Sequence, residues 1–385
     1  MKAILALEDG TIFEGSSIGA TGTVTGEVCF NTAVSGYQEL LTDPATHGLI
    51  PVMTYPLIGN YGVCEMDNES KRPHASALVV TELARLHSNW NSQEDMGSWM
   101  TRHGLVGIAG VDCRAIATHI RDNGTMRGCV TTELNEEDAV ATAKAAPTLE
   151  GANLVHEITD SETCYGPWAG ESREWKLPNK TAGDMTNYKE LPPVTHRMAV
   201  FDFGVRYSTL AALRRQGIEC VVISPYSCAD DVYAGNKCDS VFLSDGPGDP
   251  AAVNESCVKT IANLVERGCP VFGNGMGNLL LARAMGASTR KLKFGHHGVN
   301  QPVKDERAGH VLITSQNDNF TVIPETLPAE LEVVQINMND NTVAALKHKS
   351  KPIFTVQYIP SEIPGPKGAD SYFAEIAKML KAVKA

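Results

Sequence analysis

Pro270-Val271-Phe272-Gly273-Asn274-Gly275-Met276-Gly277-Asn278 carries a short apolar run into a glycine-rich turn, and a helical pattern follows from about Leu279 to Met285. Small residues two positions either side of a central residue, between a strand and a helix, form the frame of a nucleophile elbow. The central residue of such a turn sits in strained backbone geometry and presents its side chain to the cleft. Here it is Gly275, which has no side chain and therefore no nucleophile. Glycine adopts strained φ,ψ values cheaply, so where no nucleophile is needed it relieves about 1 kcal/mol or more of strain.

Working outward, apolar runs at Met198–Phe203, Cys220–Ser224, Ser240–Ser244 and Pro270–Phe272 alternate with helical segments at 207–216 and 259–267. Short apolar strands separated by helices predict a parallel sheet covered on both faces. Further strand-like runs follow at 310–314, 331–336, 343–347 and 353–356, and a helix from about Ser371 to Val383 closes the chain. Ligands of open parallel sheets sit outside the carboxyl ends of the strands. Two loops belong there, the elbow and Ser244-Asp245-Gly246-Pro247-Gly248-Asp249-Pro250.

The first 150 residues read as mixed strand and helix. Lys2–Leu7 and Thr11–Glu14 flank the hairpin signal Asp9-Gly10, Val28–Phe30, Leu49–Thr54 and Leu105–Val111 are strand candidates, and a helix over Arg114–Asp122 ends near Asn123-Gly124. Between Asp160 and Pro193 the chain has no sustained period and is rich in Gly, Pro and Asn turns, which marks a connector. The expected division is residues 1–155, a linker over 156–195, and residues 196–385.

Composition sets the outer limits. The 385 residues are 43% hydrophobic and 20% charged, which suits about two or three domains with sizeable cores and excludes a largely disordered chain. Thirty-three basic against 45 acidic residues leave a net charge of −12, with no basic run, so no nucleic-acid partner is expected. No apolar stretch is long enough for a membrane span or a signal peptide, so a cytoplasmic protein is expected. The ten cysteines show no C-x-x-C pair and no zinc spacing with histidine, which points to reduced, mostly buried thiols.

The sequence resembles the small, glutamine-hydrolysing subunits of carbamoyl phosphate synthetases, which are class I (triad) glutamine amidotransferases. In the first part the resemblance rests on Leu7-Glu8-Asp9-Gly10-Thr11, Phe30-Asn31-Thr32, Gly36-Tyr37-Gln38-Glu39, Leu41-Thr42-Asp43-Pro44, Thr54-Tyr55-Pro56, Ile58-Gly59-Asn60 and Val111-Asp112-Cys113-Arg114. In the second it rests on Asp202-Phe203-Gly204, Leu243 to Pro250, Lys293-Phe294-Gly295-His296-His297-Gly298, Gln316-Asn317 and Pro364-Gly365-Pro366. It implies a mixed α/β N-terminal domain followed by a three-layer α/β class I amidotransferase-like domain.

That family's chemistry uses a cysteine thiolate to attack the glutamine carboxamide, a histidine to move its proton and a glutamate to orient the histidine. The resemblance puts the cysteine at Gly275 and the other two in a His-Pro-Glu run that reads Ile359-Pro360-Ser361 here. All three groups are missing, and Glu362 falls one residue late. No catalytic residue is therefore expected, the degenerate positions being Gly275, Ile359 and Ser361. Three losses together read as natural divergence rather than engineering. Cys269 lies six residues before the elbow and reads as a buried strand-end thiol.

The ligand-binding positions carried over by the resemblance are also altered: Ala45 stands where serine is usual, Leu279 where glutamine is usual and Asn319 where glycine is usual. Gly246, Gly248, Asn317 and Phe320 are kept, and the Gly248 and Met276 backbone amides are the expected oxyanion hole. Ile359, apolar in place of a titratable ring, is expected to pack into the vacated cleft.

Other readings compete. Gly273-x-Gly275-x-Gly277 could start a phosphate loop, but Asn278 stands where a third glycine is needed, which leaves only an anion at the helix start aided by Lys291 or Lys293. Adjacent His296 and His297 would point to opposite strand faces, so no metal is expected. Asp202-Phe203-Gly204 reads as a strand end and tight turn.

These readings make the chain a non-hydrolysing partner of a synthetase large subunit, which would hold the bicarbonate, ATP and magnesium and use ammonia; no cofactor is expected in the chain itself. The resemblance places such an assembly in pyrimidine and arginine biosynthesis. The alternative is a stand-alone protein whose remodelled cleft, with Asn274, Asn278, Asp318 and Asn319 beside Ile359 and Leu279, takes a different small molecule. A glutaminase with an unrecognised nucleophile is the third reading.

Overall fold

The computed structural model describes residues 1–159, 166–167, 192–235, 237–360 and 371–384. Ser361, Glu362, Pro364-Gly365-Pro366 and most of the expected connector lie outside the described residues.

The first unit is a closed barrel, which the sequence reading as merely mixed strand and helix did not foresee. Its strands run in the order Lys2–Leu7, Ile12–Gly19, Val106–Ala109, Ala77–Val80, Leu49–Met53, Thr23–Asn31 and Met126–Thr131, and the last pairs back with the first. The Asp9-Gly10 turn joins the first two strands, with Gly10 at φ 96°. Closure depends on pairings such as Ile4 with Thr131, more than a hundred residues apart, which leave no local signal. Leu5, Leu7, Val28, Ile50, Val52, Val79 and Ile108 pack together, and the helix Cys113–Asn123 adds Ile116 and Ile120 to them. Asp112 caps that helix by accepting from the Ala115 amide at 2.9 Å.

The second unit is built on a ten-stranded sheet. Its parallel centre runs Ile218–Ile223, His196–Phe201, Ser240–Leu243, Val271–Asn274 and Ile353–Val356. Side chains alternate between two cores. Ala199, Phe201, Val241, Leu243, Val271 and Ile353 face the helices Glu255–Glu266 and Met276–Ala284. Met198, Val200, Phe242, Phe272, Phe354 and Val356 face Tyr207–Arg215 and Ser371–Lys384. Both strand faces are apolar because both are covered.

The parallel centre is as expected, and on the far side of Ile353–Val356 the sheet continues with strands whose direction the sequence reading left open. Val343–His348, Leu331–Asn337, Thr289–Asp305 and Val311–Val322 add antiparallel strands. The seventeen-residue strand 289–305 escaped the sequence reading because irregularities between Lys291 and His296 and between Gly298 and Gln301 reset its alternation.

The two units meet over a broad junction. Thr125 donates its amide to the Lys293 carbonyl at 2.8 Å, Lys291 pairs with Glu27 at 2.5 Å, and Cys29, Leu49 and Leu149 pack with Leu279, Phe320 and Val322. Val155, just before the expected linker, already packs into the core of the second unit. No helix among the described residues is long and apolar enough to cross a membrane.

Candidate functional site

The elbow forms as its spacing predicts. Val271–Asn274 ends at Gly275, whose φ of 52° and ψ of −114° turn the chain directly into the helix Met276–Ala284. The Gly275 amide donates to the Val356 carbonyl at 3.0 Å, and its carbonyl accepts from Asn278 and Leu279. Gly273 and Gly277 serve a different end. A Cβ on Gly273 would come within 2.6 Å of the Leu243 carbonyl oxygen, and one on Gly277 would run into the same atom.

What fills the elbow is the carboxyl of Asp245. Its Oδ1 accepts the Gly246 amide at 2.8 Å and the Met276 amide at 2.9 Å. A Cβ built on Gly275 would collide with Oδ1, Cγ and Oδ2 of this one side chain. Asp245 is only 5% exposed. Burial, then the charge of Asp43, push its carboxyl up to about 7, while the two amides pull the other way. Burial and Asp245 also hold the Asp318 carboxyl well above the usual carboxylate range.

Around this carboxyl the polar groups are tied to one another. Asn278 Nδ2 donates to Gln357 Oε1 at 2.8 Å, Thr355 Oγ1 donates to Asn278 Oδ1 at 2.8 Å, and Gln357 Nε2 donates to Asp318 Oδ1 at 2.6 Å. Below them Arg206 bridges the two units, with Nη1 3.0 Å from Asp43 and Nη2 2.8 Å from Glu69. Arg206 stays charged because both carboxylates raise its affinity for the proton against the opposing effect of burial.

The carried-over positions separate into groups. Gly246 and Met276 hold Asp245 through their amides. Gly248 instead turns its backbone, at φ 89°, against Ala152 and Leu154. Ala45 donates its amide to Asp43 at 3.0 Å, and the Asn317 carboxamide oxygen bonds His297 Nδ1 at 2.7 Å. Leu279 and Phe320 lie in the apolar cluster between the units, and Asn319 is half-buried beside Phe320. Ile359 is buried and donates its amide to Ser315 at 2.8 Å. Ser361 lies outside the described residues.

Three expectations change. The place of an anion at the helix start is taken by the chain's own Asp245 carboxyl, and neither lysine assists it: Lys291 pairs with Glu27, and Lys293 Nζ donates to the Asp122 carbonyl at 2.8 Å. The expected oxyanion hole is altered because its Met276 amide is already taken by Asp245. The alternative small-molecule pocket is reduced, since Asn278 and Asp318 Oδ1 are tied into the network with Gln357 and Leu279 faces an apolar cluster, while Asn274 Nδ2 is buried with no hydrogen-bond partner among the described residues.

Cys269 stands before the first residue of the elbow strand, at its far end from Gly275 and about 15–20 Å away along an extended chain. Its thiol is buried, donates to the Pro270 carbonyl at 3.5 Å and is pushed up to about 11 by burial. His296 and His297 point to Asp340 and Asn317 respectively, so they do not converge. Asp202 Oδ1 accepts from the amides of Gly204 and Val205, which makes the turn its sequence suggested.

Sequence reasoning placed Asp318 in the cleft but missed Asp245, Arg206, Asp43 and Gln357 as parts of the same site. Asp245 carried a usable signal, a carboxylate at the carboxyl end of the strand beside the elbow. Arg206 meets Asp43 only through the junction, and Gln357 meets Asp318 only through the pairing of distant strands in the second unit.

A central parallel sheet covered on both faces, with a strand–turn–helix elbow at its carboxyl edge, is the architecture of class I glutamine amidotransferases, and residues 199–379 match the family described as "Glutamine amidotransferase class-I". Residues 5–130 match "Carbamoyl-phosphate synthase small chain, CPSase domain". The chain is 46% identical over 384 residues to the "Carbamoyl phosphate synthase small chain" of Akkermansia muciniphila, covering 100% of this chain and 99% of that one. It is 42% identical to the protein of that name from Nitratidesulfovibrio vulgaris (Miyazaki F), over 99% of each chain, and 42% identical to that from Nostoc sp., over 100% of this chain and 96% of the other. The chain belongs to the carbamoyl phosphate synthase small chain family.

Proposed function

We propose that this chain is a non-hydrolysing small subunit, which holds a carbamoyl phosphate synthase large subunit in a competent assembly while ammonia is taken directly from solution. The observation that carries this reading is the Asp245 carboxyl standing where a side chain on residue 275 would be, against a backbone that offers only glycine. Glutamine hydrolysis by the family's route needs a thiolate at that point and a free amide at Met276 to receive the oxyanion. Here the first is missing and the second is occupied. Ile359 and the buried Cys269 supply neither a proton shuttle nor a replacement nucleophile.

The test is reconstitution with the cognate large subunit, bicarbonate, ATP and magnesium. Ammonium chloride is expected to yield carbamoyl phosphate, whereas glutamine yields none and releases no glutamate. Glutamate release by the purified chain or by the complex overturns the reading. Failure of the two subunits to co-purify removes the partner role.

A further inference from the structure

Loss of a nucleophile leaves open what holds the elbow's shape, and the packing around Gly275 answers that. We propose that Asp245 is the built-in occupant of the elbow, so that the pair Asp245–Gly275, and not residue 275 alone, keeps the site closed. This inference rests on the non-hydrolysing reading of the same site and adds how the closure is maintained.

The geometry is specific. One carboxyl oxygen accepts two backbone amides, at 2.8 Å from Gly246 and 2.9 Å from Met276, the latter at the start of a nine-residue helix whose dipole favours negative charge there. The same carboxyl lies in the volume that a Cβ on residue 275 would claim. An incoming carboxylate or tetrahedral oxyanion at this helix start would need the Met276 amide that Asp245 already holds. Arg206 lies near enough to lower the proton affinity of the carboxyl, against the charges of Asp43 and the cost of burial.

A cysteine restored at position 275 therefore meets an occupied space. It enters only if Asp245 rotates away, which forfeits the two backbone hydrogen bonds to Oδ1 and moves its carboxyl among Asp43 and Asp318. Removing the Asp245 side chain as well frees both the space and the amides, and a thiol at a helix start with free amides ionises readily.

The experiment compares G275C with D245G/G275C by peptide-resolved mass spectrometry of iodoacetamide alkylation, which follows residue 275 separately from the other cysteines. The double variant is expected to react at residue 275 at least about tenfold faster than the single one, because the thiolate is the reacting form. Equal rates in folded single and double variants overturn the proposal. Asp245→Gly alone provides an independent measurement should either cysteine variant fail to fold. Sodium formate, a carboxylate small enough for the vacated space, is expected to raise its melting temperature relative to sodium chloride while leaving the parent protein unmoved. No formate effect on D245G overturns the proposal equally. Glutamate release by the parent protein sinks the functional reading alone, and the alkylation comparison still judges the occupant.

Discussion

Arg206 and Asp43 face each other at 3.0 Å across the junction between the barrel and the ten-stranded sheet, both of them about 98% buried as side chains. The Glu69 carboxylate completes the group by accepting from Arg206 Nη2 and from the Ser208 amide. Such a cluster gains little over well-packed apolar residues, but it cannot lose one member without leaving a charge stranded.

Arg206→Met is therefore expected to cost roughly 3–5 kcal/mol, since it leaves two buried carboxylates without their cation. Urea unfolding followed by circular dichroism measures the change. The triple variant with Asp43→Asn and Glu69→Gln should recover part of the loss. A neutral single variant would show that water reaches this junction and screens it.

Asp245 makes stability depend on pH in a particular direction. In the fold its carboxyl keeps a proton up to about 7, whereas the ordinary value is 3.8. Between those values the folded chain binds more protons than the unfolded one, so this contribution to stability is present at low pH and is lost as pH rises to about 7. His74, held down to about 3, and His297, held down to about 4, act oppositely: each favours unfolding as pH falls below the ordinary histidine value of 6.5. Comparison with Asp245→Asn separates the two effects. The stability of the parent relative to the variant should grow by up to about 1.4 kcal/mol per pH unit as pH is lowered from about 7 to about 5. A pH-independent difference in urea midpoints would mean that Asp245 titrates like an exposed aspartate.

Local and non-local information divide along the same line as these two predictions. The strands Met198–Phe203 and Ile353–Val356 and the elbow at Gly275 were legible because short apolar runs, helical periods and glycine spacing are written within a few residues. Barrel closure through Ile4 and Thr131 was not, because its only record is the pairing itself. Asp245 was visible as a loop residue, but its contact with Gly275 depends on a side-chain rotation over a turn thirty residues away. Arg206 reads as one more basic residue before a helix until folding sets Asp43 and Glu69 around it.

The elbow glycines make separable predictions. Gly277→Ala would drive a methyl group into the Leu243 carbonyl, a backbone atom that cannot swing aside. The expected cost is about 1–3 kcal/mol, in the range for overpacking a well-filled core. Thermal unfolding monitored by calorimetry reads it directly. Gly286→Ala is the control for conformation without crowding. That residue follows the same helix at φ 96° with open space around it, so its penalty should come from backbone strain alone. If both variants lost the same stability, close approach of the elbow to Leu243 would not be what keeps residue 277 small.

Besides the apolar packing of Phe272 against it, the C-terminal helix reaches the elbow strand through the Tyr372 hydroxyl. Tyr372 Oη accepts the Gly273 amide at 2.9 Å and lies 2.8 Å from the Gly273 carbonyl and 2.9 Å from that of Phe354, so its one proton serves one of the two oxygens. The ring itself is held by Phe354 and Phe373, at 5.1 and 5.6 Å between centroids, and keeps its place without the hydroxyl. Tyr372→Phe thus changes no packing but strands a buried backbone donor two residues before Gly275. The cost should be about 1–3 kcal/mol, the penalty for an unmade hydrogen bond rather than for lost apolar area. Amide hydrogen exchange at Gly273 is the decisive measurement. Accelerated exchange there, with protection unchanged in the helix Glu255–Glu266, places the loss at the elbow, whereas uniform acceleration through the second unit would mean that Tyr372 acts on global stability alone.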